Sequence, residues 1–141
     1  MGLFYLHRIF RMKYTLVING APWSSASALT ALKFAEAALE ARNEIVRLFF
    51  YQDGAFNASV NCVPPQDEVD IPARWQSLIQ QHQLDAVVCA ASALKRGILD
   101  NTEAERYEKP GATLRDGFTI SGLGQFIDAA QQSDRVINFV N

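Results

Sequence analysis

Cys89 is the residue whose type and setting in this chain best suit it for chemistry. It follows the apolar residues 86–88 and precedes an Ala/Ser-rich stretch at 90–94, a pattern that predicts a buried strand running directly into a helix. A thiol in that position lies at the carboxyl end of a strand, where open α/β sheets collect ligands and reactive groups. Unpaired backbone N–H groups at the helix start would favour the thiolate, which is the nucleophilic form of cysteine.

The same position has a second interpretation, because free cysteine is among the most buried residue types and often packs as a small hydrophobe. Lys95 and Arg96 follow on the predicted helix and would add positive charge near Cys89. A basic pair at a helix end is, however, more often a solvated face or a complement to the helix dipole. The local sequence therefore leaves both interpretations of the thiol open.

Two other residues that could take part in thiol chemistry are His82 and Cys62. His82 lies one element before Cys89 and could form a Cys–His dyad, but closeness in sequence is no evidence of closeness in space. We favour a solvated histidine at a helix end. Cys62 precedes a proline pair in a loop-like stretch, where it is either a second thiol that resolves Cys89 or, as we favour, an incidental loop cysteine.

The composition favours a small single-domain protein and argues against several kinds of binding site. The chain has 141 residues and is 49% hydrophobic, enough for one sizeable core and short for two domains. Only 20% of the residues are charged and the formal net charge is −2, so no electropositive surface for direct nucleic-acid binding is expected. Two widely spaced cysteines exclude a disulfide framework, a CxxC motif and a zinc site, and they indicate a reducing compartment.

Residues 1–11 form an apolar N-terminal segment. It is too short to span a bilayer, His7 and Arg8 interrupt it, and no small-residue cleavage site follows. We expect an upstream extension that reflects an alternative start codon, followed by one domain at 12–141. The protein is expected to be soluble and cytoplasmic.

Strand and helix patterns alternate along the chain, which is typical of a mostly parallel sheet covered on both faces. The predicted strands are residues 14–18, 44–51, the run ending at Cys89, and 135–140. Candidate helix caps are Ser24 or Ser25, Asp70 followed by Pro72, Asn101 or Thr102, and Ser121.

A long connection at 52–68 is expected to lack regular structure and to be functional or mobile. Within it, Phe56 either pins the loop onto its own domain, which we favour, or contacts a neighbouring subunit.

Five segments in order resemble the TusD/DsrE family of small sulfurtransferase subunits, and the resemblance extends from Met12 to Phe139. The segments are NGAP at 19–22, LFFYQDGAFNA at 48–58, VCAASALKRG at 88–97, GFTISGLG at 117–124 and DRVINF at 134–139. Each is weak alone, but the ordered set is specific.

The resemblance implies a single-domain α/β three-layer sandwich with a mostly parallel sheet flanked by helices. It also implies that Cys89 is the catalytic residue and carries sulfur as a persulfide, which needs no metal or organic cofactor. The reaction is then transpersulfidation, with a rate set by the thiolate fraction and by access to both partners.

The family further implies partners. TusB-like and TusC-like subunits would complete a hetero-oligomer, a TusA-like protein would donate sulfur and a TusE-like protein would accept it, with no direct contact to nucleic acid or membrane. The favoured outcome is 2-thiolation of the tRNA wobble uridine. The alternatives are DsrE-like dissimilatory sulfur oxidation and a non-catalytic structural subunit of a related hetero-oligomer.

Overall fold

The computed structural model describes residues 11–141. The predicted N-terminal extension lies outside these residues except for Arg11 and stays a prediction. Five strands form one sheet in the order β4-β3-β2-β1-β5, and every neighbouring pair is parallel. The strands are β1 (Lys13–Ile18), β2 (Glu44–Phe50), β3 (Ala86–Cys89), β4 (Phe118–Ser121) and β5 (Arg135–Phe139).

Five α-helices accompany the sheet and confirm the predicted three layers. They are α1 (Ser27–Glu40), α2 (Ile71–His82), α3 (Ala90–Lys95), α4 (Asn101–Arg106) and α5 (Gly124–Gln132). Helices α1 and α2 pack on one face of the sheet, which we call the α1/α2 face, and α5 packs on the other, the α5 face. Within residues 11–141, no helix combines the length and apolarity needed to cross a membrane.

The central strands are apolar on both faces, as a sheet covered on two sides requires. Along β2, Leu48 and Phe50 point into the core of the α1/α2 face, whereas Phe49 points to the α5 face. Trp75 of α2 is fully buried on the α1/α2 face, where its ring meets that of Phe50 edge-on at a centroid distance of 5.3 Å. Most of the core therefore lies on this face.

The expectation of an irregular connection after β2 is wrong for its first part, which forms a 3₁₀-helix, Gln52–Ala58. The buried Asn57 side chain donates hydrogen bonds from Nδ2 to the carbonyls of Gly20, at 3.0 Å, and Gly54, at 2.9 Å. A Cβ atom at Gly54 would collide with the carbonyl oxygen of Ile18. Contacts distant in sequence hold this segment, and local patterning does not reveal them.

Of the predicted helix caps, only Asp70 is confirmed. Its Oδ1 accepts a hydrogen bond from the Ala73 N–H at 3.1 Å, with Pro72 in the first turn. Helix α1 has Ala26 at its N-cap position, so the N-cap expected at Ser24 or Ser25 is misplaced. Ser25 Oγ nevertheless accepts a hydrogen bond from the N–H of Ser27, the first residue of α1, at 3.3 Å.

The caps expected for the last two helices are also wrong. Asp100, rather than Asn101 or Thr102, caps α4 by accepting from the Glu103 N–H at 2.8 Å. Ser121 belongs to β4, and α5 begins after Leu123 without a side-chain cap. In both helices the first residue is set by where the preceding strand or loop ends, which a cap motif in the sequence does not indicate.

Candidate functional site

Cys89 occupies the predicted junction of strand and helix. It is the last residue of β3 and the residue immediately before α3, with φ −58° and ψ 126°. Extended backbone up to this point and helical backbone after it place the thiol at the carboxyl edge of the sheet. Because β3 lies between β2 and β4, the residue is inside the sheet rather than on an edge strand.

The Cys89 side chain is 4% exposed and packs on the α5 face. It forms a small cluster with Val17, Phe49 and Val87, against which Tyr51 and Phe126 pack from the more exposed side. The ring of Phe126, from α5, lies 5.6 Å from that of Phe49. The thiol is thus packed like a hydrophobe and also placed where α/β sheets carry chemistry, so the two interpretations from sequence are not exclusive.

A surface cavity of about 350 Å³ opens beside this cluster, at the carboxyl ends of β1, β2 and β5. Its lining is Val17, Asn19, Phe49, Tyr51, Leu123, Phe126, Asn138 and Val140. Four of these residues also belong to, or pack against, the cluster that contains Cys89. Cys89 itself does not line the cavity, which lies against the apolar residues that pack around the thiol. The cavity volume suits a small ligand or the tip of a side chain.

The strand register places further polar residues level with the thiol. Ile18 pairs with Phe50, and Phe50 pairs with Val88, so Asn19, Tyr51 and Cys89 each come one residue later in neighbouring strands. The Asn19 Oδ1 atom is buried and has no hydrogen-bond partner among residues 11–141. On the other side, Cys89 pairs directly with Ser121 of β4. The sequence did not reveal that these residues lie side by side, because the pairing of strands depends on segments far apart in the chain.

Lys95, the last residue of α3, and Arg96, which follows it, do not form a basic pair at Cys89. Arg96 donates from Nε to Asp53 Oδ1 at 3.0 Å and from a terminal nitrogen to the Ser92 carbonyl at 3.1 Å. Its charge is engaged by the carboxylate of the 3₁₀-helix. Lys95 is exposed at the far end of α3, where it lines a separate groove of about 1010 Å³.

The expected positions of His82 and Phe56 are confirmed. His82 is exposed at the end of α2 and lines a cavity with Arg42 and Glu44, near the amino end of β2 and opposite the edge that carries Cys89. A Cys–His dyad with His82 is therefore excluded. Phe56 is partly buried against the main core, as expected of an anchor within its own domain.

Cys62 is a half-buried free thiol whose Sγ donates to the Phe56 carbonyl at 3.4 Å. This bond ties the thiol to the neighbouring 3₁₀-helix. In the part of the chain that the structure describes, no cluster of three or more His, Cys, Asp or Glu side chains could hold a metal ion.

Comparison with solved structures supports the fold. The ychN protein from E. coli superposes with a TM-score of 0.74 at 24% identity, covering 91% of this chain and 99% of that one. At this identity the likeness concerns the fold alone.

Comparison with curated proteins identifies closer relatives. A sulfurtransferase TusD homolog from Pseudomonas aeruginosa is 53% identical over 128 residues, which cover 91% of this chain and 97% of the relative. A putative sulfurtransferase DsrE from Allochromatium vinosum is 46% identical, and sulfurtransferase TusD from Salmonella dublin is 42% identical, each over 91% of this chain. Residues 12–139 match the model of the DsrE/DsrF-like family. The chain therefore belongs to the DsrE/DsrF-like family.

Proposed function

We propose that this chain is a sulfurtransferase that carries sulfur as a persulfide on Cys89. Its family and its curated relatives support the sulfurtransferase role; the carrier residue is the specific part of the proposal. The observation that supports it is the position of Cys89 at the carboxyl edge of the sheet, beside a cavity that shares its apolar neighbours.

Two transfer steps make up the reaction. The Cys89 thiolate attacks the outer sulfur of a donor persulfide, so that a new S–S bond forms on Cys89 while the donor's S–S bond breaks and the donor leaves as a thiolate. An acceptor thiolate then attacks the same outer sulfur, and Cys89 leaves as a thiolate. Each step exchanges one S–S bond for another, as in thiol–disulfide exchange, and needs no external oxidant or reductant.

The apolar surroundings of Cys89 serve this chemistry. Cys89 is buried in a cluster against which the rings of Tyr51 and Phe126 pack, so a bound persulfide is shielded from small thiols in bulk water. At 4% exposure, transfer requires that one of these rings move or that a partner reach in through the cavity. Access controlled by partners would keep the sulfur on its path from donor to acceptor.

The partners that we propose are a TusA-like donor, a TusE-like acceptor, and TusB-like and TusC-like subunits in a hetero-oligomer. Large apolar side chains around the cavity mouth support an assembly. Leu123, directly before α5, and Val140, after β5, line the cavity and are 53% and 60% exposed. Ile127 of α5 is 56% exposed. Apolar side chains clustered on one surface are typical of an interaction site.

The proposed setting is the cytoplasm and the proposed outcome is 2-thiolation of the tRNA wobble uridine, without direct contact between this subunit and tRNA. Two relatives whose names contain TusD favour this pathway. The relative named DsrE favours dissimilatory sulfur oxidation as the second candidate. A purely structural subunit has no need of a thiol at this edge, which argues against a non-catalytic role.

Intact-mass spectrometry tests the carrier residue. The protein is incubated with a persulfidated TusA-like protein and digested, and one added sulfur is expected on the peptide that contains Cys89. The Cys89→Ser variant should gain no sulfur and keep its fold, because a hydroxyl is nearly isosteric with a thiol but forms no stable persulfide. Cys62→Ser is the matched control and should load normally. Sulfur retained on the Cys89→Ser protein would refute the proposal.

Light scattering tests the assembly. Co-expression with the TusB-like and TusC-like subunits should give one complex, and Leu123→Asp combined with Ile127→Asp should dissociate it by placing charge on its apolar surface. The matched control is Val63→Asp, since Val63 is 82% exposed in the loop after the 3₁₀-helix. A protein that stays monomeric in the presence of both subunits would contradict the proposed assembly while leaving the carrier residue to its own test.

A further inference from the structure

Ser121 lies directly beside Cys89 in the sheet. The two residues are register partners in the parallel pair of β3 and β4. Neighbouring strands are about 4.8 Å apart, and side chains of paired residues project from the same face of a sheet. The two side chains therefore project from the same face of adjacent strands, at paired positions.

The alternation of side chains along β4 gives the same orientation. Phe118 and Ile120 pack against the core of the α1/α2 face. Ser121 must then project to the α5 face, which is the face on which the Cys89 side chain packs. Both residues end their strands, so both lie at the carboxyl edge.

The Ser121 hydroxyl is also free of the role that its sequence position suggests. A serine shortly before a helix is a typical N-cap, but α5 has Leu123 at its N-cap position and no capping side chain. Ser121 is half-buried, in contrast to the exposed Thr119 two residues earlier. A hydroxyl that caps no helix thus lies partly shielded from solvent, next to the thiol.

We propose that Ser121 is a second catalytic residue, which donates a hydrogen bond from its hydroxyl to the Cys89 sulfur during persulfide transfer. This inference rests on the proposed function of Cys89. Negative charge resides on Cys89 Sγ before the first step, when the thiolate attacks the outer sulfur of the donor. It returns to the same atom in the second step, when the acceptor takes that sulfur and Cys89 leaves as a thiolate.

A hydroxyl that donates to Sγ stabilises the charged sulfur in both steps. A hydrogen bond to a charged group contributes more than one between neutral groups, and the effect grows where water is excluded. Cys89 is 4% exposed, in a cluster against which Tyr51 and Phe126 pack, so the thiol lies in such an environment. The bond requires no proton transfer, so the hydroxyl is unchanged at the end of each step.

The test is the rate of sulfur loading with the persulfidated TusA-like protein as the probe, followed by rapid quenching and mass spectrometry of the Cys89 peptide. Ser121→Ala should lower the loading rate constant at saturating probe roughly tenfold or more, the scale of one lost hydrogen bond to a charged group. The probe concentration that gives half the maximal rate should stay the same. Ser121→Thr restores a hydroxyl at this position and should recover most of the rate.

Thr119→Ala is the matched control. Thr119 projects from the same face of the same strand but pairs with Val87 instead of Cys89. Its loss should leave the loading rate unchanged, and unfolding curves of all three variants identify any effect that comes from stability alone. A loading rate in Ser121→Ala equal to that of the wild type, or an equal decrease in Thr119→Ala, would overturn the role of Ser121. If the wild-type protein takes up no sulfur on Cys89, the proposed function and this inference both fail.

Discussion

The two faces of the sheet differ in how they are packed. On the α1/α2 face, two long helices and the 3₁₀-helix cover a continuous core that includes the fully buried Trp75, Phe50 and Leu32. On the α5 face, α5 is the one helix among residues 11–141 that packs on a cluster of four buried residues, Val17, Phe49, Val87 and Cys89. Cys89, the proposed sulfur carrier, thus lies on the face that fewer of the described elements cover.

The difference in packing suggests that the α1/α2 face mainly stabilises the fold, whereas the α5 face controls access to Cys89. A densely packed face resists change, because removing atoms from it leaves a cavity. A face covered by one short helix can open locally at lower cost, which a buried thiol needs if it is to meet two partners. The exposed apolar side chains Leu123 and Ile127 also belong to this second face. We therefore expect substitutions on the α1/α2 face to change stability and those on the α5 face to change access to Cys89.

The largest effect on stability is expected for Trp75→Ala. Removing a fully buried tryptophan from the α1/α2 face should lower the free energy of unfolding by roughly 3–5 kcal/mol, measured by urea denaturation. The matched control is Trp23→Ala. Trp23 is 36% exposed and donates one hydrogen bond to the Val69 carbonyl, so its loss should cost about 1 kcal/mol. Equal costs would contradict the contrast in packing.

A smaller effect on stability, with a larger effect on reactivity, is expected for Phe126→Ala. The ring is half-buried against Phe49 and covers the cluster of Cys89, so its loss should cost about 1–2 kcal/mol. Alkylation of Cys89 by iodoacetamide should become faster, because the cavity then extends to the thiol. Ile127→Ala, at an exposed position of the same helix, is the control and should leave the alkylation rate unchanged. A slower or unaltered rate in Phe126→Ala would mean that Cys89 is reached by another path.

The smallest effect is expected for Asp53→Asn, which removes the ion pair between the 3₁₀-helix and Arg96. The Asp53 side chain is 54% exposed, so the pair should contribute less than about 1 kcal/mol to the free energy of unfolding. The difference from the wild type should shrink further in about 1 M salt, which screens exposed charges. A cost that is large and independent of salt would show that this pair matters to the fold as much as buried contacts do.

Local patterns in the sequence were sufficient for much of the fold. The continuous apolar run of β2 predicts a strand buried on both faces, and Asp70 with Pro72 predicts the start of α2, because these signals depend on a residue and its near neighbours. The same holds for the strand-to-helix junction at Cys89. Strand ends differ from the prediction by about one residue, as at Phe50 and Phe139, because hydrogen bonding at the end of a strand depends on its neighbour.

Only the tertiary structure decided what surrounds the thiol. It places His82 near the opposite edge of the sheet, pairs Arg96 with Asp53, and makes Ser121 a neighbour of Cys89 rather than a helix cap. Cys89 and Ser121 are adjacent because parallel strands joined by a long crossover align in register. From the sequence alone came the class of fold, which the structure confirms, and the proposal that Cys89 carries sulfur. The chemical neighbours of Cys89 depend on contacts between distant segments, which local periodicity and residue preference do not encode.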